Sequence, residues 1–123
     1  MWSIVLLIKN RKAPQPFQGF PSPERYEWFR AEDEEGLFAW VALAESGEDM
    51  ELHLEAVRWG PQARRSMTSD LEWVKAEARR RGKRRLIGLK AEAGQHPDPR
   101  WAKFVGLFGF GNIGVVQTAT LEL

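Results

Sequence analysis

The sequence predicts an α+β domain, a mixed and mainly antiparallel sheet of about six strands flanked by two helices. Three observations carry that expectation. Short apolar runs are separated by two brief polar turns, Glu32-Asp33-Glu34-Glu35-Gly36 and Ser46-Gly47-Glu48-Asp49, as in an antiparallel meander. A long charged stretch with apolar residues at helical spacing follows the meander. Glycine and proline punctuate the remainder where elements should stop.

Taken in order, Trp2 to Ile8 is continuous and rich in β-branched residues, which predicts a strand buried on both faces. Arg11 to Pro23 carries prolines at 14, 16, 21 and 23, which exclude a regular helix or a central strand. An extended surface connection is expected there. Strands are then expected over Tyr26 to Ala31, Leu37 to Ala44 and Met50 to Val57. In the last of these, Met50, Leu52, Leu54 and Ala56 alternate with Glu51, His53, Glu55 and Val57, giving one apolar and one polar face.

Ser69-Asp70-Leu71-Glu72 fits a capping box, so a helix is expected from there to Arg81, with Gly82 as its stop. Leu71, Val74 and Ala78 form its apolar face. Residues 62–67 then fall in the loop before the helix. Leu86 to Ala91 reads as a strand, parallel to the Met50 strand because a helical crossover joins the two. Asp98-Pro99 opens a second helix, with Trp101, Phe104, Val105 and Phe108 as its stripe and Gly109 as its end. Ile113 to Leu123 reads as a final strand.

Composition narrows the function classes. With 123 residues, 43% hydrophobic and 28% charged, the chain is expected to be a single globular domain over 1–123. A net charge of +1 favours neither nucleic acid nor an acidic substrate. No cysteine is present, which excludes disulfides and thiolate metal sites. The Trp2 to Ile8 run is too short to span a bilayer and lacks the features of a signal peptide, so no membrane is expected and the cytoplasm is the expected location.

Three clusters could carry chemistry. Gln62-Ala63-Arg64-Arg65-Ser66-Met67 precedes a helix, where unpartnered amides can hold an anion and Arg64 and Arg65 add charge. Close approach of backbone to phosphate favours glycine, and here Gly60 stands alone at the start. Arg79 to Arg85 holds six cations in seven positions, a pattern that can meet nucleic-acid phosphates or oppose the negative end of a helix dipole. The near-neutral charge favours the second reading. Glu51, His53 and Glu55 project together and could supply a general base, although a solvated sheet face has the same pattern. The Trp101, Phe104 and Phe108 stripe reads as core, and Glu32 to Glu35 as a solvated turn.

From Met50 onward the chain resembles the GNAT superfamily, the Gcn5-related N-acetyltransferases. "MELHLEAVRWGP" resembles the family's fourth strand, and "QARRSM" stands in the place of its Q/R-x-x-G-x-G/A acetyl-CoA loop. "LEWVKAEARRRGKRRLIGLKAEA" resembles the next helix and fifth strand, and "WAKFVGLFGF" the helix ending in Gly-Phe. Before Met50 the likeness is one of strand order, with the Pro-rich segment in place of the two usual N-terminal helices. A looser Trp…Gly-Phe…Leu-Glu likeness extends to short GNAT-like proteins encoded by bacteriophages and prophages.

The resemblance implies a GNAT-like fold with acetyl-CoA in a notch between the fourth and fifth strands. It implies cofactor contacts from Val57, Gln62, Arg64, Arg65, Ser66 and Met67, and a general base at Glu55. Arg65 and Met67 replace the family's small residues, and Val105 stands where many members place a tyrosine general acid. The resulting expectation is a divergent, phage-derived GNAT-like protein, non-catalytic or of unassigned activity, acting through an unknown protein partner or a homo-oligomer. The alternatives are an active acetyl-CoA-dependent N-acyltransferase with a small-molecule amine acceptor, and a nucleic-acid-binding module using residues 79–85.

Overall fold

The computed structural model describes residues 7–20, 22–89, 103 and 106–111. The chain divides into two compact units, 1–90 and 91–123. The first contains strands β1 (Leu7–Asn10), β2 (Tyr26–Asp33), β3 (Gly36–Ser46) and β4 (Asp49–Ala56), helix α1 (Pro61–Arg80), and strand β5 (Arg85–Leu89). Among the described residues they form a five-stranded sheet in the order β1-β2-β3-β4-β5.

The meander forms as its turns dictate. β2 and β3 are antiparallel from Tyr26↔Ala44 to Asp33↔Gly36, and β3 and β4 from Ala39↔Ala56 to Ser46↔Asp49. Gly47 opens the second turn at φ 58°, a conformation that costs a side chain with a Cβ far more than glycine. The strands outlast their expected ends. β2 continues through Glu32 and Asp33, so the acidic turn shrinks to Glu34-Glu35. The register steps between Ala31 and Glu32 and leaves Phe38 outside the pairing, a bulge. β5 runs parallel to β4, from Asp49↔Arg85 to His53↔Leu89, as the crossover requires.

The two sheet faces bury different partners. Phe29, Val41, Leu43 and Leu52 share one face by strand parity and are buried. α1 covers that side, contributing buried Ala63, Met67, Leu71, Val74 and Ala78, with Trp73 meeting Phe29 at 5.7 Å between ring centroids. The opposite face carries Tyr26, Trp28, Trp40, Ala42 and His53.

The Pro-rich segment departs from the extended surface connection expected of it. It makes two short 3-10 turns, Gln15–Phe17 and Pro23–Arg25, and buries Phe17 against Trp28 and Ala42. Leaving those rings in water would forfeit roughly 1.5–3 kcal/mol for each large side chain. The polar-face pattern of β4 is corrected in the same way. His53 is half-buried beneath Phe20 and Tyr26 rather than solvated.

The largest correction concerns α1. It begins at Pro61, not after a capping box at Ser69, and Ser69 to Glu72 lies inside the helix. Proline is at home in a first turn, where its missing N–H costs nothing, and it holds the preceding Gly60 extended. The far end matches expectation. Gly82 adopts φ 75° and donates its N–H to the Arg79 carbonyl at 3.0 Å, while Lys83 donates to Ala78 at 2.9 Å, a Schellman stop.

In the second unit, Lys103 and Gly106 are helical, and Gly109 at φ 89° donates to the Gly106 carbonyl at 3.1 Å. Trp101, Phe104 and Val105 of the expected second helix, the expected strand 113–123 and residues 2–6 of the first strand lie outside the described residues.

Candidate cofactor site at the β4–α1 junction

Four residues, Val57 to Gly60, carry the chain from β4 into α1. The bulge at Phe38 anchors them, because its carbonyl accepts the Val57 N–H at 2.8 Å and the Arg58 N–H at 3.1 Å. Arg58 then clamps the junction to the β2–β3 turn. Its Nη1 donates to Asp33 Oδ2 at 3.0 Å and Glu35 Oε2 at 3.0 Å, and its Nη2 to Asp33 Oδ1 and to the Gly36 carbonyl at 3.1 Å. This is the forked geometry a guanidinium makes with a carboxylate. The Asp33 side chain is 1% exposed, yet the Arg58 hydrogen bonds hold its carboxyl below the usual carboxylate range against the opposing effect of burial. A second tie joins Gln62 Nε2 to Glu34 Oε2 at 3.2 Å.

The helix start fixes what the junction offers a ligand. Pro61 has no N–H, and Arg64 donates to the Gly60 carbonyl at 2.9 Å, the first helical bond. Gln62 and Ala63 therefore hold the two first-turn amides without a partner among the described residues. The amides of Arg65, Ser66 and Met67 are spent within the helix. No acidic residue of α1 sits in its first turn, so Glu34 of the neighbouring turn, through Gln62, is the nearby carboxylate that balances the positive dipole end.

The expected site residues are accordingly split. Val57, 57% exposed, and half-buried Gln62 sit at the junction. Arg64 and Arg65 lie exposed on the helix, Ser66 is half-buried, and Met67 is buried among the apolar stripe. The expectation that 62–67 form a loop is corrected by the early helix start, which turns successive side chains by about 100° instead of gathering them round a ligand. Glu55 lies exposed on β4, opposite Trp40 and two residues before Val57. Glu51 is held by Arg25 at 3.6 Å.

Sequence reasoning missed the Arg58–Asp33 clamp, for which a lone arginine after a strand gives no signal. It also passed over Gly60-Pro61, whose proline marked the true helix start.

The basic run is committed inside the fold. Arg81 meets Glu27 and Glu77 at 3.0 Å and Glu45 at 3.4 Å, and Lys83 meets Glu45 at 2.9 Å. Arg84 pairs with Glu48 at 3.5 Å and Arg85 with Asp49 at 2.9 Å, while Arg80 pairs with Glu77. Hydrogen bonds from Arg80 and Arg81 pull the Glu77 carboxyl down to about 2. A hollow of about 170 Å³ lies at the far end of β3 from the junction, and of its charged lining Glu27, Glu45 and Arg81 belong to these pairs, while Arg25 pairs with Glu51. Among the described residues no cluster of histidine and carboxylate is placed to hold a metal, and no helix is long and apolar enough to cross a membrane.

No protein-family model and no curated protein matches the chain. Solved structures do match. An aminoglycoside acetyltransferase from an uncultured soil metagenomic sample, solved with trehalose, aligns over 94% of this chain and 80% of its own length, at 13% identity and a TM-score of 0.57. Glucosamine-6-phosphate N-acetyltransferase from Arabidopsis thaliana aligns over 80% of this chain and 69% of its own, at 11% identity and a TM-score of 0.51. A protein of Pyrococcus furiosus assigned as an acetyl transferase aligns over 78% of this chain, which spans 66% of that protein, at 14% identity and a TM-score of 0.51. The fold is GNAT-like.

Proposed function

We propose that this chain is a GNAT-like protein of the cytoplasm that has given up acetyl-CoA-dependent transfer and works through protein contacts, with a second protein or another copy of itself as partner. One observation carries the reading. The residues standing in the place of the acetyl-CoA loop are the opening turns of α1, and of the two unpartnered first-turn amides, those of Gln62 and Ala63, a pyrophosphate would reach only that of Gln62, because Ala63 is fully buried. The acidic β2–β3 turn tied to Gln62 weakens the attraction for an anion further. Val57 and Trp59, 57% and 42% exposed, give the junction an apolar surface suited to a partner. An origin in a phage or prophage belongs to the same reading, and flanking virion genes would support it.

Calorimetry with coenzyme A and acetyl-CoA tests it. The expected result is no saturable heat. Tight binding of acetyl-CoA that Gln62→Pro abolishes would overturn it, because that change removes the unpartnered amide a ligand can reach.

A second reading, an active N-acyltransferase with an amine acceptor, is favoured by the unpartnered Gln62 amide, by exposed Arg64 and Arg65 near it, and by exposed Glu55 close by on β4 as the base. It predicts thiol release from acetyl-CoA in the presence of an amine and its loss in Glu55→Gln. A nucleic-acid module is the least supported reading, since five of the six cations from 79 to 85 are paired with carboxylates.

A further inference from the structure

On the sheet face away from α1, the His53 Nε2 is buried and meets no hydrogen-bond partner among the described residues. What surrounds it is aromatic. Between ring centroids, Phe20 lies 4.7 Å and Tyr26 5.7 Å from the imidazole, both edge to face. A bare imidazole nitrogen tolerates such a place better than a protonated one. Adding a proton there creates a positive charge and a buried donor with no acceptor.

Phe20 belongs to the Pro-rich strap of residues 11–25 and is the ring of that strap that meets His53. It touches Phe17 at 5.1 Å, Tyr26 at 5.1 Å and Trp28 at 5.9 Å as well as His53. Phe17 stacks on Trp28 at 5.7 Å and is nearly fully buried, whereas Phe20 is half-buried. The strap meets β2 through Ser22, whose φ of 52° and ψ of 57° are left-handed, a conformation a residue with a Cβ holds under constraint. Phe17 thus anchors the segment on Trp28 and Ala42, and half-buried Phe20 lies against the imidazole that carries the unpartnered nitrogen.

We propose that the Pro-rich strap is an acid-released cover, in which protonation of His53 lifts Phe20 from the sheet and uncovers the face built by Trp28, Ala42 and His53. The charged and titratable groups around His53 among the described residues are few. Glu51 and Glu55 share its face on β4, Arg25 comes from the end of the strap and Tyr26 from β2. β3 presents Ala42 opposite and β5 presents Leu89, neither of which titrates. Burial, helped by the charge of Arg25, outweighs the attraction of Glu51 for the proton and keeps the imidazole below its ordinary value.

The direction of the switch follows. The closed form binds fewer protons than the open one, so closure is complete above the ordinary imidazole value of 6.5 and weakens as pH falls toward the depressed one. The surface released is apolar, with Trp28 5% and Ala42 0% exposed while covered. Acid therefore exposes a sticky sheet face that neutral pH hides.

Hydrogen exchange of the full chain at about pH 7.5 and about pH 5, corrected for the intrinsic rate, tests the proposal. Protection over residues 11–20 is expected to fall severalfold in acid while β3 stays protected. In His53→Phe, which keeps the ring contacts and removes the titration, the strap should stay equally protected at both pH values. A strap indifferent to pH in the natural chain, or one that opens equally in the variant, would overturn it. Should the variant fail to fold, nuclear magnetic resonance titration of His53 in the natural chain decides. A midpoint below 6.5, coincident with shifts in Phe17 and Phe20, supports the cover, and one at or above 6.5 sinks it.

Discussion

Asp33 shows how much one buried carboxylate organises. Lost from water, it keeps its charge because Arg58 supplies two hydrogen bonds, and the Glu35 N–H adds a third at 2.8 Å. Asp33→Asn should lower the urea midpoint at neutral pH, since Arg58 would be left facing a neutral amide. The pH dependence has a definite sign. A carboxyl held below its ordinary 3.8 contributes stability that is present above that value and lost as pH falls through the folded one. The gap between the natural chain and the variant should therefore narrow in strong acid, measured as paired urea curves. At this scale the sequence was poorly legible. Asp33 stands in a run of four acidic residues, and nothing local separates the buried member from its exposed neighbours Glu34 and Glu35. The distinction comes from the bulge at Phe38, which brings Arg58 across from a distant strand end.

For the elements, legibility followed periodicity. The meander and its turns were readable because alternation and glycine act locally, and so was the stop at Gly82. The start of α1 was not, because Ser69-Asp70-Leu71-Glu72 matches a capping box in composition while Asp70 is a buried member of the helical stripe. The stripe extended backward through Met67 and Ala63 would have led to Pro61. Ser66→Pro distinguishes the two arrangements. Inside a helix it removes a hydrogen bond and clashes with the preceding turn, so a loss of about 3 kcal/mol is expected by chemical denaturation. In a loop the same change would be nearly silent. The strap was misjudged for the converse reason, since four prolines exclude regular structure without excluding burial. Phe17→Ala should cost roughly 3 kcal/mol, because it opens a cavity beside Trp28 and Ala42.

Over the whole first unit, the candidate site and the charge network sit at opposite ends of the same strands, and the network is what closes the crossover. β4 leaves the β3–β4 turn, α1 returns the chain, and Arg81 to Arg85 lock onto that turn through Glu45, the Gly47 carbonyl, Glu48 and Asp49. The GNAT-like order of strands was legible because it is written in element sequence, whereas this closure pairs residues 36 apart and has no local signature. Arg81 is the keystone. Its side chain is 19% exposed and serves three carboxylates, whereas that of Arg84 is 75% exposed and serves one. Arg81→Ala leaves Glu27, Glu45 and Glu77 without their common cation and should cost about 1–2 kcal/mol, while Arg84→Ala should fall within about 0.5 kcal/mol of the natural chain. Acid acts on the same knot. Glu77, drawn from its ordinary 4.5 to about 2, contributes stability above the first value that is lost as pH falls toward the second. High salt should weaken the exposed pairs first, so the difference between the two variants persists in 1 M salt if Arg81 acts as a half-buried clamp, at a Debye length of about 3 Å. A difference that vanished there would mean that the run serves only as screened surface charge, and would leave its cations available to a polyanion after all.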